Sequence, residues 1–473
     1  MKRLLPILGC GLLLVGCNVV KDYERPEAFE KIQPLYRDTT SLDQLISAEA
    51  DTINFGAVPW REVFTEPQLQ TLIDQAIANN LDLKKSEITI RQAEEGLRIA
   101  RLEWLPTVAF APQGGISSFD FGKASKTYTL PLAVNWDLGS WGSIRGNRRL
   151  SETNLLLTKA AHQATQSTII CGVANLYYTL QMLDAQLATT RSTIALWKRN
   201  VEVMEAMREG GMTNDAAVAQ SKANLVELQA SEPKLLGSIR EVENSLCLLL
   251  GQPSHNIERG AFNPEGFPAS LKTGVPVQLL AQRPDVRIAE LTMTSKFYGI
   301  NIARSKFYPS LNITGTAGWT NSAGMIVINP AKFFAQAAAS LTQPLFAQGK
   351  LKANLRVSQM DYEAAQLDFQ NTILKAGQEV SNALNSYHVA EQQQAHREQE
   401  VQLLTDALEK TQFLFQHTNN TSYLSVLTAQ QSLLSAQLSL INDKYAKVQA
   451  AINLYQAFVT INGVTIASNQ VAG

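Results

Sequence analysis

Two long stretches of this chain contain no proline. None lies between Pro131 and Pro233, a gap of 101 residues, and none follows Pro344, which leaves 129. With 17 prolines in 473 residues, gaps of that size should hold about four and about five. Proline inside a helix removes a backbone hydrogen bond and clashes with the turn before it, at a cost of about 3 kcal/mol. Tracts cleared of proline are what very long helices require.

The chain also repeats itself. Ile99-Ala100-Arg101 ahead of Leu105-Pro106 matches Ile302-Ala303-Arg304 ahead of Tyr308-Pro309. Leu138 with Gly142, Ile144 and Arg145 matches Leu345 with Gly349, Leu351 and Lys352, and Val218 with Leu225 matches Val426 with Leu433. A repeat of this length is a duplicated domain-sized unit rather than a solenoid. Each half predicts a first helix (66–104 and 283–307), two strands, a very long helix (146–209 and 351–416) and a returning helix (214–250 and 421–461). A helix of that length spans roughly 96 Å and must pair along its side. In the second returning helix, Leu427, Leu434, Ile441, Val448 and Tyr455 recur every seven residues, beside a second apolar row of Leu438, Tyr445, Ile452 and Val459. Such a stripe suits coiled-coil contact on more than one side, or an ordinary bundle core. Pro233 predicts a kink or short break in the first returning helix.

The four predicted strands are 107–119, 126–138, 310–320 and 333–345. In the second, Tyr128, Leu130, Leu132, Val134, Trp136 and Leu138 share one face, and Thr127, Thr129, Ala133, Asn135 and Asp137 the other. In the third, Leu311, Ile313, Ala317 and Trp319 oppose Asn312, Thr314, Thr316 and Thr320. A half-buried soluble sheet also alternates. These strands are longer, however, than the usual five or six residues, and a tilted strand of about 9–11 crosses a bilayer. Trp136, Trp141 and Trp319 near strand ends suit an aromatic girdle. Four strands cannot close a barrel, and an open edge in lipid leaves backbone groups unsatisfied. Four from each of three copies give twelve, which can close. The fold expectation is therefore mainly α with a small β part: long antiparallel coiled-coil helices and four barrel strands per chain, internally duplicated, with a homotrimer forming a 12-stranded β-barrel continued by an α-helical tunnel.

At the start, Lys2 and Arg3 precede an apolar stretch from Leu4 to Val15, and Leu14-Val15-Gly16-Cys17 fits a bacterial lipobox. The expectation is a signal peptide over 1–16 and acylation of Cys17 in the outer membrane; a plain secretory signal or short buried helix is the other reading. Asn18 is not the Asp that favours inner-membrane retention in enterobacterial sorting. No internal apolar run reaches the length of a membrane-spanning helix. Lys and Arg total 41 against 42 Asp and Glu, a balance that argues against a nucleic-acid partner, which needs a basic face. Cys171 and Cys247 sit among apolar neighbours in helical patterns and read as buried thiols.

Several motifs, taken in order, resemble the outer-membrane factor family of bacterial efflux and secretion systems, the TolC type, and in particular its NodT-like lipoprotein branch. They are Cys17 with Asp22-Tyr23-Glu24-Arg25-Pro26; Trp60, Phe64, Pro67 and Leu69 ahead of Asn80-Leu81-Asp82-Leu83; Gln282-Arg283-Pro284-Asp285-Val286-Arg287 with Ala289-Glu290; Phe307-Tyr308-Pro309-Ser310; and Ser422-Tyr423-Leu424 with Val426-Leu427 and Ala429-Gln430. The resemblance implies a passive homotrimeric exit duct without catalytic activity. A periplasmic membrane-fusion adaptor would couple it to an inner-membrane transporter of the resistance-nodulation-division type. It also implies docking tips at Arg208, Gly210, Gly211, Thr213 and Asn214 and at His417, Asn419, Asn420 and Ser422. Leu424 matches the apolar ring that narrows the closed aperture. Thr428 stands where many members carry an aspartate, which removes an acidic ring; Asp215 and Asp406 are the candidates to replace it, the other reading being ordinary solvated tip charges.

None of the five histidines sits at metal-ligand spacing, and no phosphate loop or nucleophile elbow is present, so no cofactor is expected. The expected division is a signal over 1–16, an anchored segment over 17–65, repeats over 66–265 and 266–463, and a tail over 464–473. The alternative to a channel is a structural coiled-coil lipoprotein of the outer membrane without a pore.

Overall fold

A computed structural model describes residues 21–25, 59–118, 122, 124–140, 142–263, 283–320, 332–417 and 422–458. The first half runs α1 (Trp60–Val63), α2 (Pro67–Asn79), α3 (Leu81–Leu102), β1 (Thr107–Phe110), β2 (Gln113–Ser117), β3 (Ser125–Ser140), α4 (Ser143–Glu209) and α5 (Asp215–Leu249). The second half runs α6 (Pro284–Ser305), β4 (Ser310–Thr320), β5 (Phe333–Thr342), α7 (Lys350–His417) and α8 (Tyr423–Phe458). The order helix, strands, long helix, returning helix thus occurs twice. The proline-free tracts hold helices of 67 and 68 residues.

Three sequence expectations are corrected. The first helix is not continuous over 66–104 but turns at Asn80. The Asn80 side chain accepts hydrogen bonds from the backbone N–H groups of Asp82 (2.9 Å) and Leu83 (3.1 Å), which caps α3. Strand 107–119 is two segments in one register, with Phe110 opposite Leu132 and Gln113 opposite Thr129. The gap falls at Ala111-Pro112, alongside Pro131 of β3; a proline has no N–H to give the ladder. At Pro233, α5 runs on without a break. The stretch before the proline is tied to α4, by Arg191 to Glu232 at 2.7 Å and Lys222 to Glu205 at 2.6 Å.

Two compact units divide the chain. One holds Met1–Lys31, Ile88–Lys159 and Arg287–Asn371; the other holds Ile32–Glu87, Ala160–Val286 and Thr372–Gly473. In the first, the antiparallel sheet has the order β1-β3-β4-β5, with β2 also on β3. The helix segments follow the same order. Asn147 of α4 donates to Glu103 beside the end of α3 (3.2 Å), and Lys159 approaches Glu94 (3.8 Å). Next, α4 meets α6 so closely that a Cβ on Gly146 would lie 2.9 Å from Ile302. Finally, α6 meets α7 through Phe297 on Tyr362 (5.9 Å) and Lys296 with Asp361 (3.5 Å).

In the second unit, α4 and α8 run antiparallel. Thr179 meets Tyr445 at 2.7 Å, Gln186 meets Asn442 at 2.7 Å and Asn200 meets Gln430 at 2.9 Å. Ile194 and Trp197 of α4, Leu228 of α5 and Leu434 of α8 form one apolar cluster. Of the sevenfold row predicted on α8, Leu427, Val448 and Tyr455 are buried and Leu434 and Ile441 are partly buried. Trp60, Phe64, Leu69 and Ile73 are also buried, and Phe64 stands edge-on to Tyr455 at 5.6 Å. Cys171 and Cys247 are buried free thiols, and burial pushes Cys171 up to about 12.

Candidate lipid-facing sheet and helix tips

The register sorts the sheet into two chemical faces. Leu132 stands opposite Phe110 and Ala317, Trp136 opposite Ile313, and Trp319 opposite Leu130 and Phe333. Val134 pairs with Val108, and Leu311 with Leu341, so one side is apolar from Leu130 to Trp136 of β3, with Lys126 at its far end opposite Ile116. The offset rows pair Asn135 with Thr107 and Thr314, Asp137 with Asn312, Thr316 with Gln336 and Asn312 with Ser340. Neither face is covered. Phe110 is 64% exposed and Leu341 70% on the apolar side, while Thr314, Gln336 and Ser340 are exposed on the polar side. Each large apolar side chain left in water forgoes about 1.5–3 kcal/mol of burial. A whole face of them suits hydrocarbon, and the opposite face suits water.

The dimensions agree. Strands β4 and β5 have 11 and 10 residues, within the range that crosses a bilayer. Aromatic pairs stand at both ends of the sheet. Trp104 and Trp136 meet edge-on at 6.2 Å, with the Trp136 ring N–H donating to the Trp104 carbonyl; Trp319 and Phe333 meet at 5.6 Å. Trp141 lies outside the described residues. No described helix is long and apolar enough to cross a membrane.

The first helix tip is the α4–α5 turn. Gly211 takes φ +70°, its N–H bonds the Arg208 carbonyl (2.9 Å), and the Met212 N–H reaches back to Met207 (2.8 Å). This pair of bonds closes the helix end, in a left-handed backbone that glycine adopts without strain. Asn214 caps α5 by accepting from the Ala217 N–H at 2.9 Å. Asp215 follows and faces Arg208 at 3.7 Å. Gly210 and Thr213 complete the turn.

At the second tip, the Ser422 hydroxyl accepts from the Ser425 N–H at 3.4 Å. Leu424 is exposed, and the Thr428 hydroxyl donates back to the Leu424 carbonyl at 2.9 Å. The His417 ring stacks on Phe413 at 4.3 Å. Asn419, Asn420 and Cys17 lie outside the described residues. Among the described residues, no group of three or more His, Cys, Asp or Glu is placed to hold a metal ion.

The quoted motifs hold places that spacing alone does not show. Arg283, nearly buried, forks onto Asp285 (3.0 and 2.8 Å), reaches Glu379 (2.6 Å) and bonds the Ala457 carbonyl (2.9 Å). Arg259 joins Asp184 (3.0 Å) to Glu243 (2.6 Å). The Glu66 carboxylate receives the Tyr177 hydroxyl (2.8 Å) and the Gln181 amide (2.9 Å). The last two clusters carried no local signal, because their partners lie far apart in sequence.

A sheet with one lipid-suited and one water-suited face, leading directly into long paired helices, is the build of an outer-membrane protein. The chain belongs to the outer membrane efflux protein family, which it matches over residues 72–252 and 275–458. It is 26% identical to the cation efflux system protein CusC of Escherichia coli K12, covering 96% of this chain and 98% of that one. It is 24% identical to the probable outer membrane lipoprotein SilC of Salmonella typhimurium, covering 94% and 96%. The crystal structure of CusC superimposes with a TM-score of 0.84 at 24% identity, over 93% of this chain and 99% of that one. The likeness establishes the fold.

Proposed function

We propose that three copies of this chain close into one conduit, the passive outer-membrane duct of a tripartite efflux system. The observation that carries this reading is the sheet. It has one apolar and one polar face, both open, and ends in two unpaired edges, β1/β2 and β5. In lipid those edges need partners, and neighbouring copies supply them: β5 of one copy joins the first ribbon of the next until the ring closes. Apolar faces then line the outside and polar faces the lumen.

The ordered turn at Arg208, Gly210, Gly211 and Asn214, with Asn419, Asn420 and Ser422 at the second tip, is the docking surface for a periplasmic membrane-fusion adaptor. An inner-membrane transporter of the resistance-nodulation-division type supplies the energy. Leu424 narrows the closed aperture, and Thr428 and Asp215 set its polarity. Because Asp215 faces Arg208, its charge is partly offset, so an acidic gate ring is weak here. Acylation at Cys17 anchors the chain to the outer membrane, and the lipoprotein name of SilC supports that reading.

Light scattering of the detergent-solubilised, full-length protein tests the ring. A mass of three copies is expected. A monodisperse monomer that retains its helical content would instead favour the tether without a pore.

A further inference from the structure

Charge in the sheet-bearing unit is sorted by distance from the strands. Four ten-residue stretches join its helices to its strands: 96–105, 142–151, 298–307 and 347–356. Together they carry ten Lys or Arg and a single acid, Glu103, in a chain whose totals are 41 and 42. Farther along the same helices the acids return, as Glu94 on α3, Glu152 on α4, Glu290 on α6 and Asp361 on α7. The cations crowd the helix ends. Arg101 and Arg304 are the penultimate residues of α3 and α6, Arg145 is the third of α4 and Lys350 the first of α7. The duplication keeps two of these charges in matched places, Arg101 with Arg304 and Arg145 with Lys352.

Four of the ten, Arg98, Arg145, Arg148 and Arg149, meet an acid. Among the described residues the other six have no acidic partner; Arg101, Lys306, Lys350, Lys352 and Arg356 are exposed and Arg304 is half-buried. Like charges crowded together repel, and a surface of opposite sign relieves the repulsion. The junctions themselves hold exposed apolar side chains, Trp104, Phe307, Leu345 and Phe346, the last 86% exposed. The order away from the sheet is therefore apolar strand face, aromatic side chain, cation. That is the order of hydrocarbon, interface and headgroup in a bilayer. One helical turn rises about 5 Å, which matches a headgroup layer of roughly 5–8 Å on each side.

The N-terminal segment marks the side of the wall that lipid reaches. Asp22 lies against Arg145 and Arg149, and the Lys21 carbonyl accepts from Asn301, one turn before Arg304. Cys17, the acylation site proposed above, is four residues upstream of Lys21, a reach of at most about 14 Å.

We infer that this collar, centred on Arg101, Arg145, Arg304, Lys350 and Lys352, binds the phosphates of anionic phospholipids in the leaflet from which the helices emerge, and so sets how deep the sheet sits. Arginine forks onto phosphate oxygens, and lysine meets them as a point charge. The inference rests on the reading of the sheet as a bilayer-spanning wall and names the lipid that the wall selects.

The test uses the full-length protein, reconstituted into vesicles of phosphatidylglycerol and phosphatidylcholine in equal parts. The lipids retained on re-extraction into mild detergent are counted by native mass spectrometry. Phosphatidylglycerol is expected to exceed phosphatidylcholine about fivefold at low salt, and the preference to shrink at about 1 M salt. The combination Arg101→Gln, Arg304→Gln, Lys350→Gln and Lys352→Gln is expected to lose the preference at unchanged helical content. The charge-keeping exchanges Arg101→Lys, Arg304→Lys, Lys350→Arg and Lys352→Arg are expected to retain it. Equal retention of both lipids by inserted parent protein overturns the collar and leaves the wall standing. So does a glutamine variant that keeps the lipid preference and changes only the anion-to-cation permeability ratio, which would place these charges in the lumen. Displacement of phosphatidylglycerol by an equal concentration of inorganic phosphate would assign the cations to free anions and also overturn it. Parent protein that inserts into neither lipid overturns the wall itself.

Discussion

The guanidinium of Arg25 forks onto the carboxylate of Glu290 across 265 residues of chain, with Nε donating to Oε1 at 2.7 Å and Nη2 donating to Oε2. Around it, Asp22 lies between Arg145 (3.8 Å) and Arg149 (3.6 Å), Tyr23 stands edge-on to Phe297, and Asn301 donates to the Lys21 carbonyl at 2.9 Å. The segment is thus fastened on α4 and α6, a few residues after the expected acylation site. Bidentate pairs of this kind are worth about 1.5–3 kcal/mol when shielded, and less here because Arg25 is partly exposed. Glu290→Ala is expected to raise the rate of trypsin cleavage after Lys21 and Arg25 by about tenfold, with Glu290→Asp intermediate. An unchanged cleavage rate would show that the fork does not fasten the segment.

Two helix-ending glycines separate strain from crowding. Gly211 has φ +70° and nothing within 4 Å of an added Cβ; Gly251 has φ +65°, and an added Cβ would lie 2.7 Å from the Asn79 carbonyl oxygen. Asparagine tolerates the left-handed backbone, so Gly211→Asn is expected to cost only a few tenths of a kcal/mol. Gly251→Asn keeps the backbone tolerance but not the space, so about 1–3 kcal/mol is expected. Urea unfolding of both variants checks the contrast, and equal losses would contradict it.

In the sheet, Gly318 of β4 stands opposite Pro131 of β3, and a Cβ there would lie 2.7 Å from the Pro131 Cα. The central strand accommodates a proline because its neighbour has no side chain. Gly318→Val is expected to leave helical content intact and to abolish insertion into lipid vesicles. Normal insertion would mean that the close approach is relieved at little cost.

His162 is held near the Ser86 hydroxyl at 2.7 Å, and burial lowers its pKa, with Glu87 opposing. Its folded pKa lies below the unfolded value of about 6.5, so the unfolded chain binds more protons in the interval between them. The contribution is fully present above about pH 6.5 and is lost as pH falls through the folded value. Denaturation midpoints measured from pH 7.5 to 5 are expected to fall more steeply for the parent chain than for His162→Gln. Parallel profiles would remove this histidine from the pH response.

Much of the architecture is legible in the residues. Missing prolines mark α4 and α7, alternation sorts both faces of β3 and β4, and the offset matches announce the doubled order. What escapes the sequence are events decided by distant partners. The turn at Asn80 depends on a side chain that caps α3 and also donates to the Leu249 carbonyl at 2.8 Å. The gap at Ala111-Pro112 depends on Pro131 lying across the ladder. Pro233 does not break α5, whose residues before it, Lys222 and Glu232, are tied to α4. At the tips, Gly211 and Asn214 were readable as a turn, whereas the Arg208–Asp215 pair needed the folded geometry.

Single-channel recording of the purified, full-length protein in planar lipid bilayers tests the conduit most directly. Discrete conductance steps are expected from the trimeric fraction, increased when Leu424→Ala widens the tip. Protein shown by protease protection to be inserted, yet electrically silent with and without that substitution, would contradict it.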